Sequence, residues 1–162
     1  LGDLEGARRM LGRRVSVLGS VVAGDARGRQ LGFPTANLNL HHELHPPPGV
    51  WAGRARIYQR DSPGQVSEHD AVANIGVRPT VHPESGSAQP ARPVVEVHLL
   101  DFAADIYGAN LDFEFVARLR SEQRFDSLAA LTAQIRRDVE SARQILTAER
   151  ASSVDGPGAS PR

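Results

Sequence analysis

Polar and apolar residues alternate along several short stretches of this chain, with the two-residue period of a half-buried β-strand. In residues 35–40, for example, Thr35, Asn37 and Asn39 share one face and apolar residues occupy the other. Such patterns predict strands over residues 13–22, 35–40, 50–58, 69–75, 94–100 and 111–119, the fourth ending at Gly76. Because no helical pattern separates them, the strands are expected to pair antiparallel and to close into a small barrel.

A helix is predicted at each end of this series of strands. Residues 3–11 carry an apolar stripe that follows an N-cap candidate, Asp3, and stops at Gly12. A longer helix is expected after Asp126 or Ser127, either of which can cap it. Its predicted buried face consists of Leu128, Leu131, Ile135, Val139, Ala142 and Leu146. The Ser-, Gly- and Pro-rich composition that follows predicts a disordered tail over residues 149–162.

The charged residues of the chain narrow the chemistry that it can perform. Its 162 residues include 19 basic and 19 acidic side chains, every basic one is an arginine, and cysteine is absent. A Walker A lysine, a Schiff-base lysine, disulfides and Cys-ligated metals are therefore excluded. Any binding of a nucleoside triphosphate must rely on backbone amides, arginine and a metal ion. The zero net charge argues against nucleic acid as a partner. Without an apolar run of about 20 residues no membrane association is expected, and a cytoplasmic location is predicted.

A glycine-rich segment, residues 24–32, is a candidate anion-binding loop. Glycines allow the backbone N–H groups to approach a phosphate closely, and Arg27 and Arg29 add positive charge. In the strand that follows, Thr35 and Asn37 point the same way, about 6–7 Å apart. Two neutral oxygen ligands of this kind suit a magnesium–nucleotide complex. The alternative is a tight turn that leads into a strand with one polar face.

Glu96 is unusual because it lies in an apolar strand, VVEVHLL, at residues 94–100. A buried carboxylate must be paired, or its pKa rises toward the range that suits a general base. The alternatives are an exposed face of an edge strand, or an ion pair with an arginine such as Arg54 or Arg56. Arg120 and Glu122, just before the long helix, could likewise bind a ligand or pair with each other.

Five short motifs occur in the order in which one known family carries them. They are GRQLGFPTAN at 28–37, GVWA at 49–52, NIGVRPT at 74–80, VEVHLLDFAADIYG at 95–108 and LRSEQRFDSLAAL at 119–131. Through these motifs, of which LGFPTAN is the most specific, residues 12–146 resemble the riboflavin kinase domain that forms the C-terminal half of bifunctional bacterial FAD synthetases. Residues 2–13 resemble the connection between the two domains of those proteins.

The resemblance implies a fold, a domain division and an activity. The fold is mainly β, a closed six-stranded antiparallel β-barrel with a short N-terminal and a long C-terminal α-helix. Residues 1–12 would be a linker from an N-terminal FMN adenylyltransferase domain, and residues 13–148 the kinase domain. The implied reaction transfers phosphate from ATP to the ribityl 5′-hydroxyl of riboflavin, giving FMN and ADP, with Mg²⁺ as cofactor. The alternative is a non-catalytic flavin- or nucleotide-binding module of a larger FAD synthetase.

The resemblance also implies roles for individual residues. Thr35 and Asn37 match the magnesium ligands of the family, and Glu96 matches its catalytic base. Arg120 and Glu122 match positions on the flavin side. The implied nucleotide-binding residues are Gly24, Arg27, Gly28, Arg29, Gly32, Phe33, Pro34, Leu100 and Tyr107. One departure is Ala23, where His is expected in much of the family.

Overall fold

A computed structural model of the protein describes residues 3–24, 27–40, 44–59, 64–78 and 92–154. Its helices are α1 (Leu4–Leu11), α2 (Arg27–Gln30) and α3 (Leu128–Val154). Its strands are β1 (Ser16–Val22), β2 (Ala36–Leu40), β3 (Gly49–Tyr58), β4 (Val66–Arg78), β5 (Arg92–Leu99) and β6 (Asn110–Arg120). The strand count and the terminal helices match the sequence prediction, whereas the single turn α2 within the glycine-rich segment was not predicted.

The six strands form a closed barrel in the order β1-β2-β5-β4-β3-β6, and every neighbouring pair is antiparallel. The predicted closed antiparallel barrel is thus confirmed. The chain does not pair β3 with β2 but crosses over after β2, so that β5 lies between β2 and β4. As a result, residues far apart in the sequence become lateral neighbours on these three strands.

The interior of the barrel is filled by aromatic and branched side chains. Trp51, Phe113 and Phe115 are at most 1% exposed, and their rings meet edge to face with centroids 4.9–5.6 Å apart. The indole N–H of Trp51 donates to the carbonyl of Pro47 at 3.2 Å. A Cβ on Gly53, at an irregularity of the β3–β6 ladder, would lie 2.1 Å from the Glu114 carbonyl oxygen. Only glycine allows the two strands to approach this closely.

The helix ends follow the predicted capping residues. Asp3 Oδ1 accepts from the Gly6 N–H at 2.8 Å, and Gly12 ends α1 in the left-handed conformation with φ of 68°. The hydroxyl of Ser127 accepts from the Ala130 N–H at 3.1 Å, so Ser127 rather than Asp126 caps α3. None of the helices in the described part of the chain has both the length and the apolar character needed to cross a bilayer.

Two predicted features of the elements are wrong. β4 does not end at Gly76, which pairs with Val94 in the ladder. A Cβ on Gly76 would lie 2.9 Å from Oε1 of Glu122, so this glycine makes room for a side chain rather than a turn. Leu128 is 70% exposed because it lies in the first turn of α3, before the helix covers the barrel. Farther along the predicted face, Ala142 and Leu146 are completely buried.

The end of α3 is held on the barrel by ion pairs, and this corrects the predicted start of disorder at residue 149. The Glu149 carboxylate binds the guanidinium groups of both Arg14 and Arg54. One residue later, Arg150 donates to Asp70 at 2.8 Å. Composition alone suggested a disordered tail, but these pairs keep the helix ordered through Val154. Residues 155–162 lie outside the described residues. So does most of the stretch 81–93, whose Pro-, Gly- and Ser-rich sequence predicts a long loop, although β5 already begins within it at Arg92.

These contacts predict a stability effect at Glu149. Burial raises the pKa of Glu149, but the hydrogen bond and charge of Arg54 and the charge of Arg14 outweigh it, so the pKa lies below its ordinary value. Glu149→Gln is expected to lower the free energy of unfolding at pH 7 by about 1–2 kcal/mol, as measured by urea denaturation.

The pH dependence gives the sign of this effect. A depressed carboxylate pKa contributes stability that is present above the ordinary value of about 4.3 and is lost as the pH falls through the folded value. The difference between wild type and Glu149→Gln should therefore shrink below about pH 4.3. Glu140→Gln, which removes a carboxylate from an exposed position of the same helix, is the control. An equal loss of stability in both variants would contradict the role of the pair.

Candidate active site

Two clefts open on either side of a short segment, residues 33–35, which we call the wall. The wide cleft, of about 690 Å³, lies between the end of β1, residues 34–37 and the turn at 102–107. The helix cleft, of about 380 Å³, lies between the outer face of the barrel and the first turns of α3. Phe33 lines the helix cleft, Pro34 lines the wide cleft, and Thr35 lines both. Among the described residues, Thr35 alone is shared by the two clefts.

A row of polar side chains crosses three neighbouring strands next to the wall. Glu96 on β5 pairs in register with Asn37 on β2 and with Asn74 on β4. Residues paired in register share a face of the sheet, and the flanking Val95 and Val97 are completely buried in the barrel. The row therefore lies on the outer face, with Asn37 lining the wide cleft and Glu96 and Asn74 lining the helix cleft.

The structure excludes two of the alternatives for Glu96 that the sequence left open, namely an edge strand and an ion pair with Arg54 or Arg56. The strand β5 is not an edge strand, because it pairs with β2 on one side and β4 on the other. Arg54 and Arg56 direct their guanidinium groups to other carboxylates, Arg54 to Glu149 and Arg56 to Glu68 at 2.9 Å. Glu96 itself is half-buried at the cleft rather than buried in the core.

Asn74 is a candidate site residue that the sequence reasoning missed. It lies within the motif NIGVRPT, but a single polar residue in a predicted strand suggested no role. Its alternation with buried Ala73 and Ile75 was the available signal, since it placed Asn74 on the outer face. The pairing of β4 with β5, which places Asn74 opposite Glu96, could not be predicted from the pattern of one strand.

Two glycines permit close contacts around the wall. A Cβ on Gly24 would lie 1.8 Å from Nδ2 and 2.7 Å from Oδ1 of Asn37, so the Asn37 amide packs directly on the Gly24 backbone. A Cβ on Gly28 would lie 2.3 Å from the carbonyl oxygen of Phe33, whose N–H donates to the Gly28 carbonyl at 2.8 Å. Side chains at either position would displace the residues that form the wall and its neighbour Asn37.

The oxygen donors of Thr35 and Asn37 fit a Mg²⁺ ion that takes most of its ligands from water and a bound phosphate. Thr35 supplies a hydroxyl and Asn37 an amide oxygen, and both border the wide cleft beside Gly24. No group of three or more His, Cys, Asp or Glu side chains that could hold a metal occurs among the residues that the structure describes. Mg²⁺ commonly keeps few protein ligands and takes water and phosphate oxygens for the rest. Two neutral oxygen donors at the edge of the wide cleft satisfy that requirement.

The predicted nucleotide-binding residues are distributed over several places. Gly24, Arg29, Pro34 and Tyr107 line the wide cleft, whereas Gly28 and Phe33 line the helix cleft. Gly32 lines neither cleft and adopts the left-handed conformation, with φ of 83°, in the turn after α2. The side chain of Arg27 lies outside the described residues.

Leu100 does not reach a cleft. It is 4% exposed and packs beneath α3 with Ala142 and Leu146. The cause is the turn that follows, where Asp101 has φ of 54° and binds Arg143 through two hydrogen bonds of 2.6 and 2.8 Å. The hydrogen bonds from Arg143 lower the pKa of Asp101. This turn directs Leu100 toward the helix.

The far rim of the wide cleft is formed by the turn at residues 102–107. Asp105 accepts from the Tyr107 N–H at 2.9 Å, and Tyr107 is 69% exposed at the mouth of the cleft. The ring of Phe102, which the sequence reasoning did not single out, lies inside the cleft against His69, with centroids 4.7 Å apart. Two aromatic side chains thus border one end of this cleft.

Arg120 in the helix cleft pairs with α3 and not with Glu122. Its Nε donates to both carboxylate oxygens of Asp138, at 3.1 and 2.9 Å, and Nη2 lies 2.9 Å from Oδ2. Asp138 is 5% exposed and also accepts from the Gln134 amide at 2.8 Å. The Arg120 guanidinium lies 5.6 Å from the centroid of the Phe125 ring. Glu122 is exposed on the same cleft.

Asp138 was missed because it lies one residue before Val139, within the apolar stripe of α3. A carboxylate adjacent to such a stripe was the signal that could have identified it, since a buried carboxylate requires a partner. The identity of that partner depends on the end of β6 packing against the helix, which no local pattern specifies.

Comparison with known proteins gives a consistent result. The sequence model of the riboflavin kinase (flavokinase) family matches residues 11–146. A bifunctional riboflavin kinase/FMN adenylyltransferase of Bacillus subtilis is 39% identical over 142 residues, 87% of this chain and 42% of that protein. The protein of the same description from Escherichia coli K12 is 42% identical over 139 residues, 85% of this chain and 40% of that protein. The chain therefore spans about two fifths of the length of these relatives.

Solved structures show the same barrel. A riboflavin kinase from Trypanosoma brucei aligns with 90% of this chain and 88% of its own, with a TM-score of 0.58 and 26% identity. A Streptococcus pneumoniae protein described as a macrolide-efflux protein aligns with a TM-score of 0.73 and 33% identity, over 88% of this chain and 42% of its own. As with the curated relatives, this chain corresponds to less than half of the latter protein.

The Arg120–Asp138 pair predicts a characteristic pattern of stability. Asp138→Ala is expected to lower the free energy of unfolding by about 3 kcal/mol, because it leaves a largely buried guanidinium without its carboxylate. The double variant Arg120→Met/Asp138→Leu should regain most of that loss, since an apolar pair of similar volume needs no compensating charge.

Urea denaturation of the two variants beside wild type measures both effects. Glu140→Ala, at an exposed position of the same helix, should change stability by less than about 0.5 kcal/mol. A double variant as unstable as Asp138→Ala would show that the pair does not act through mutual charge compensation.

Proposed function

This chain belongs to the riboflavin kinase family, and we propose that it uses ATP and Mg²⁺ to phosphorylate the ribityl 5′-hydroxyl of riboflavin, giving FMN and ADP. The observation that carries this proposal is the arrangement at the wall. Thr35 borders both clefts, and Glu96 and Asn37 lie side by side in the β2–β5 ladder. A phosphoryl donor in one cleft and an alcohol acceptor in the other would therefore meet at Thr35, with a carboxylate adjacent to the acceptor.

The wide cleft is proposed to bind ATP. Its volume of about 690 Å³ lies in the usual range for ligand sites, roughly 300–1,000 Å³. Arg29 borders the cleft near the wall, where triphosphate charge would be placed, and Phe102 and Tyr107 border the far end, where a flat base can stack. Because the chain contains no lysine, arginine and backbone N–H groups must provide the protein's positive contribution.

Thr35 and Asn37 are proposed to hold Mg²⁺. When bound, the ion would neutralise charge on the ATP phosphates. The Asn37 amide packs on the Gly24 backbone, and this contact restricts the conformations open to it. Preorganised donors of this kind lose little conformational entropy on binding.

Glu96 is proposed to orient the riboflavin hydroxyl and to accept its proton as the oxygen attacks the γ-phosphorus. Phosphoryl transfer depends mainly on positioning and charge stabilisation, and a base of this type contributes by aligning the nucleophile. The helix cleft, of about 380 Å³, is proposed to bind the flavin. Phe125 and the apolar side chains of α3 border that cleft and offer contact for an aromatic ring system, with Arg120 and Glu122 as polar contacts.

The longer protein is proposed to combine this domain with an FMN adenylyltransferase domain on its N-terminal side. The support is the description of the bacterial relatives, of which this chain covers 40–42%. In such a protein, α1 would lie in the connection, and the FMN formed by this domain would be the substrate of the other.

Glu96→Gln is expected to lower kcat for FMN formation by about 10²–10⁴-fold, because the amide cannot accept the hydroxyl proton. FMN is measured by HPLC after incubation with riboflavin and Mg-ATP, and riboflavin affinity by fluorescence titration. Affinity should change little, since the amide has nearly the same size as the carboxylate. Glu140→Gln is the matched control. Retained turnover in Glu96→Gln would refute the base assignment, and flavin binding without FMN formation in wild type would favour the non-catalytic module.

Asn37→Ala is expected to raise the Mg²⁺ concentration required for half-maximal activity by about tenfold or more, the effect of losing one contact to a charged group. Thr35→Ala should act in the same direction. Asn39→Ala, two residues along the same strand and exposed outside both clefts, should leave the Mg²⁺ requirement unchanged. Equal Mg²⁺ dependence in Asn37→Ala and Asn39→Ala would contradict the ligand assignment.

A further inference from the structure

The wall lies just beyond the end of a strand ladder. The pairing of β2 with β5 comprises three register pairs and ends with Ala36 opposite Val97. If the ladder continued by one pair, Thr35 would lie opposite His98. The ladder therefore stops immediately before the three residues that separate the clefts, and its backbone hydrogen bonds do not set their conformation.

The side chain of His98 contacts the wall at this point. Its Nδ1 lies 2.8 Å from the carbonyl oxygen of Pro34. A carbonyl oxygen can only accept, so Nδ1 carries the hydrogen and donates it. The same imidazole meets the ring of Phe33 edge to face, with centroids 5.6 Å apart and an interplanar angle of 80°. One side chain thus contacts two consecutive residues of the wall.

The hydrogen bond acts on a backbone dihedral of the wall that the proline ring leaves free. The pyrrolidine ring of Pro34 fixes its own φ, and proline also restricts the conformation of the preceding Phe33. The N–H of Phe33 is bound to the Gly28 carbonyl at 2.8 Å. The ψ angle of Pro34 is fixed by neither constraint, and it orients the Pro34 carbonyl group and the peptide that leads into Thr35. A donor on that carbonyl therefore restrains this angle and, with it, the backbone from which the Thr35 side chain projects.

We propose that His98 is a positioning residue that fixes the wall through the Pro34 carbonyl and thereby places the Thr35 hydroxyl between the two clefts. The effect of His98 on catalysis rests on the proposed function. Its effect on the conformation of the wall rests on the hydrogen bond alone. Although His98 lines the helix cleft two residues from Glu96 on the same face of β5, its Nδ1–H is directed to the wall.

Two substitutions separate the hydrogen bond from the aromatic contact. His98→Phe keeps a ring against Phe33 but has no donor, whereas His98→Asn has no ring but places an amide N–H close to the position of Nδ1. His98→Phe is expected to lower kcat/KM for Mg-ATP by about 5- to 10-fold, the factor of one neutral hydrogen bond. His98→Asn should recover most of that loss.

The chain offers a matched control at His45. Its Nδ1 lies 2.8 Å from the carbonyl oxygen of Pro46, the same donor and acceptor chemistry, but it lines neither cleft. His45→Phe should therefore leave kcat/KM for Mg-ATP unchanged. If His98→Phe is as active as wild type, or if His98→Asn is no more active than His98→Phe, the inference is overturned.

A second measurement does not depend on activity. Amide hydrogen–deuterium exchange of a peptide covering residues 31–36, in the absence of ligands, should be faster in His98→Phe than in wild type and near wild type in His98→Asn. The amide of His98→Gln reaches the position of Nε2 instead of Nδ1, so this variant should behave like His98→Phe. It replaces His98→Phe in the experiment if His98→Phe does not fold.

The two measurements distinguish failure of this inference from failure of the proposed function. If the wild-type protein forms no FMN, but exchange of residues 31–36 is faster in His98→Phe and near wild type in His98→Asn, the kinase proposal is refuted and the positioning role of His98 stands. An active wild type whose 31–36 exchange is unchanged in both His98→Phe and His98→Gln would refute the positioning role and leave the kinase proposal intact.

Discussion

The barrel interior is filled with side chains, and this constraint decides where the chemistry of the protein lies. A barrel of six strands has room inside only for its own inward-facing residues, and here Trp51, Phe113 and Phe115 occupy that room. The polar row of Asn37, Glu96 and Asn74 accordingly projects from the outer face. The alternation along β5, with Val95 and Val97 inside, places Glu96 and His98 outside. One two-residue period thus builds both the core and the candidate site.

An outward-facing site needs a cover, and α3 supplies it. The helix packs on the barrel through apolar residues, but its two most informative contacts are charged, Asp138 with Arg120 and Glu149 with Arg14 and Arg54. Because arginine presents its donors in a rigid fork, it suits carboxylates that accept from two directions. The absence of lysine from the chain is consistent with this use. The first of these contacts forms part of the helix cleft, and the second holds the far end of the helix in place.

The parts of the fold that follow from local physics were predictable from the sequence. Alternation identified the strands, and Asp3 and Gly12 bounded the first helix, because capping depends on neighbouring residues only. Features set by contacts across the fold were not predictable in this way. Gly76 had the pattern of a turn but makes room for Glu122, and Leu100 had the position of a cleft residue but packs under α3. The residues Asn74, His98 and Asp138 acquire a candidate role only through a partner on another element.

The candidate site also has a part that the sequence predicts and a part that depends on contacts across the fold. The sequence alone points to the motif from Gly28 to Asn37 and to the carboxylate of Glu96, and the ladder brings Asn37 and Glu96 side by side. Their separation into two clefts was not predictable, because it arises from where the ladder ends and where α3 crosses the barrel. The functional roles of these residues stay predictions, whereas their proximity is a property of the fold.

The sharing of Thr35 by two clefts has a thermodynamic consequence. A ligand that shifts this residue from one side alters the shape of the cavity on the other, so the two binding free energies are not independent. Linkage then requires the coupling to be reciprocal: the factor by which the first ligand changes the affinity for the second equals the factor by which the second changes the affinity for the first. The total free energy of the ternary complex is the same whichever ligand binds first, so any preferred order of binding across the wall must come from rates.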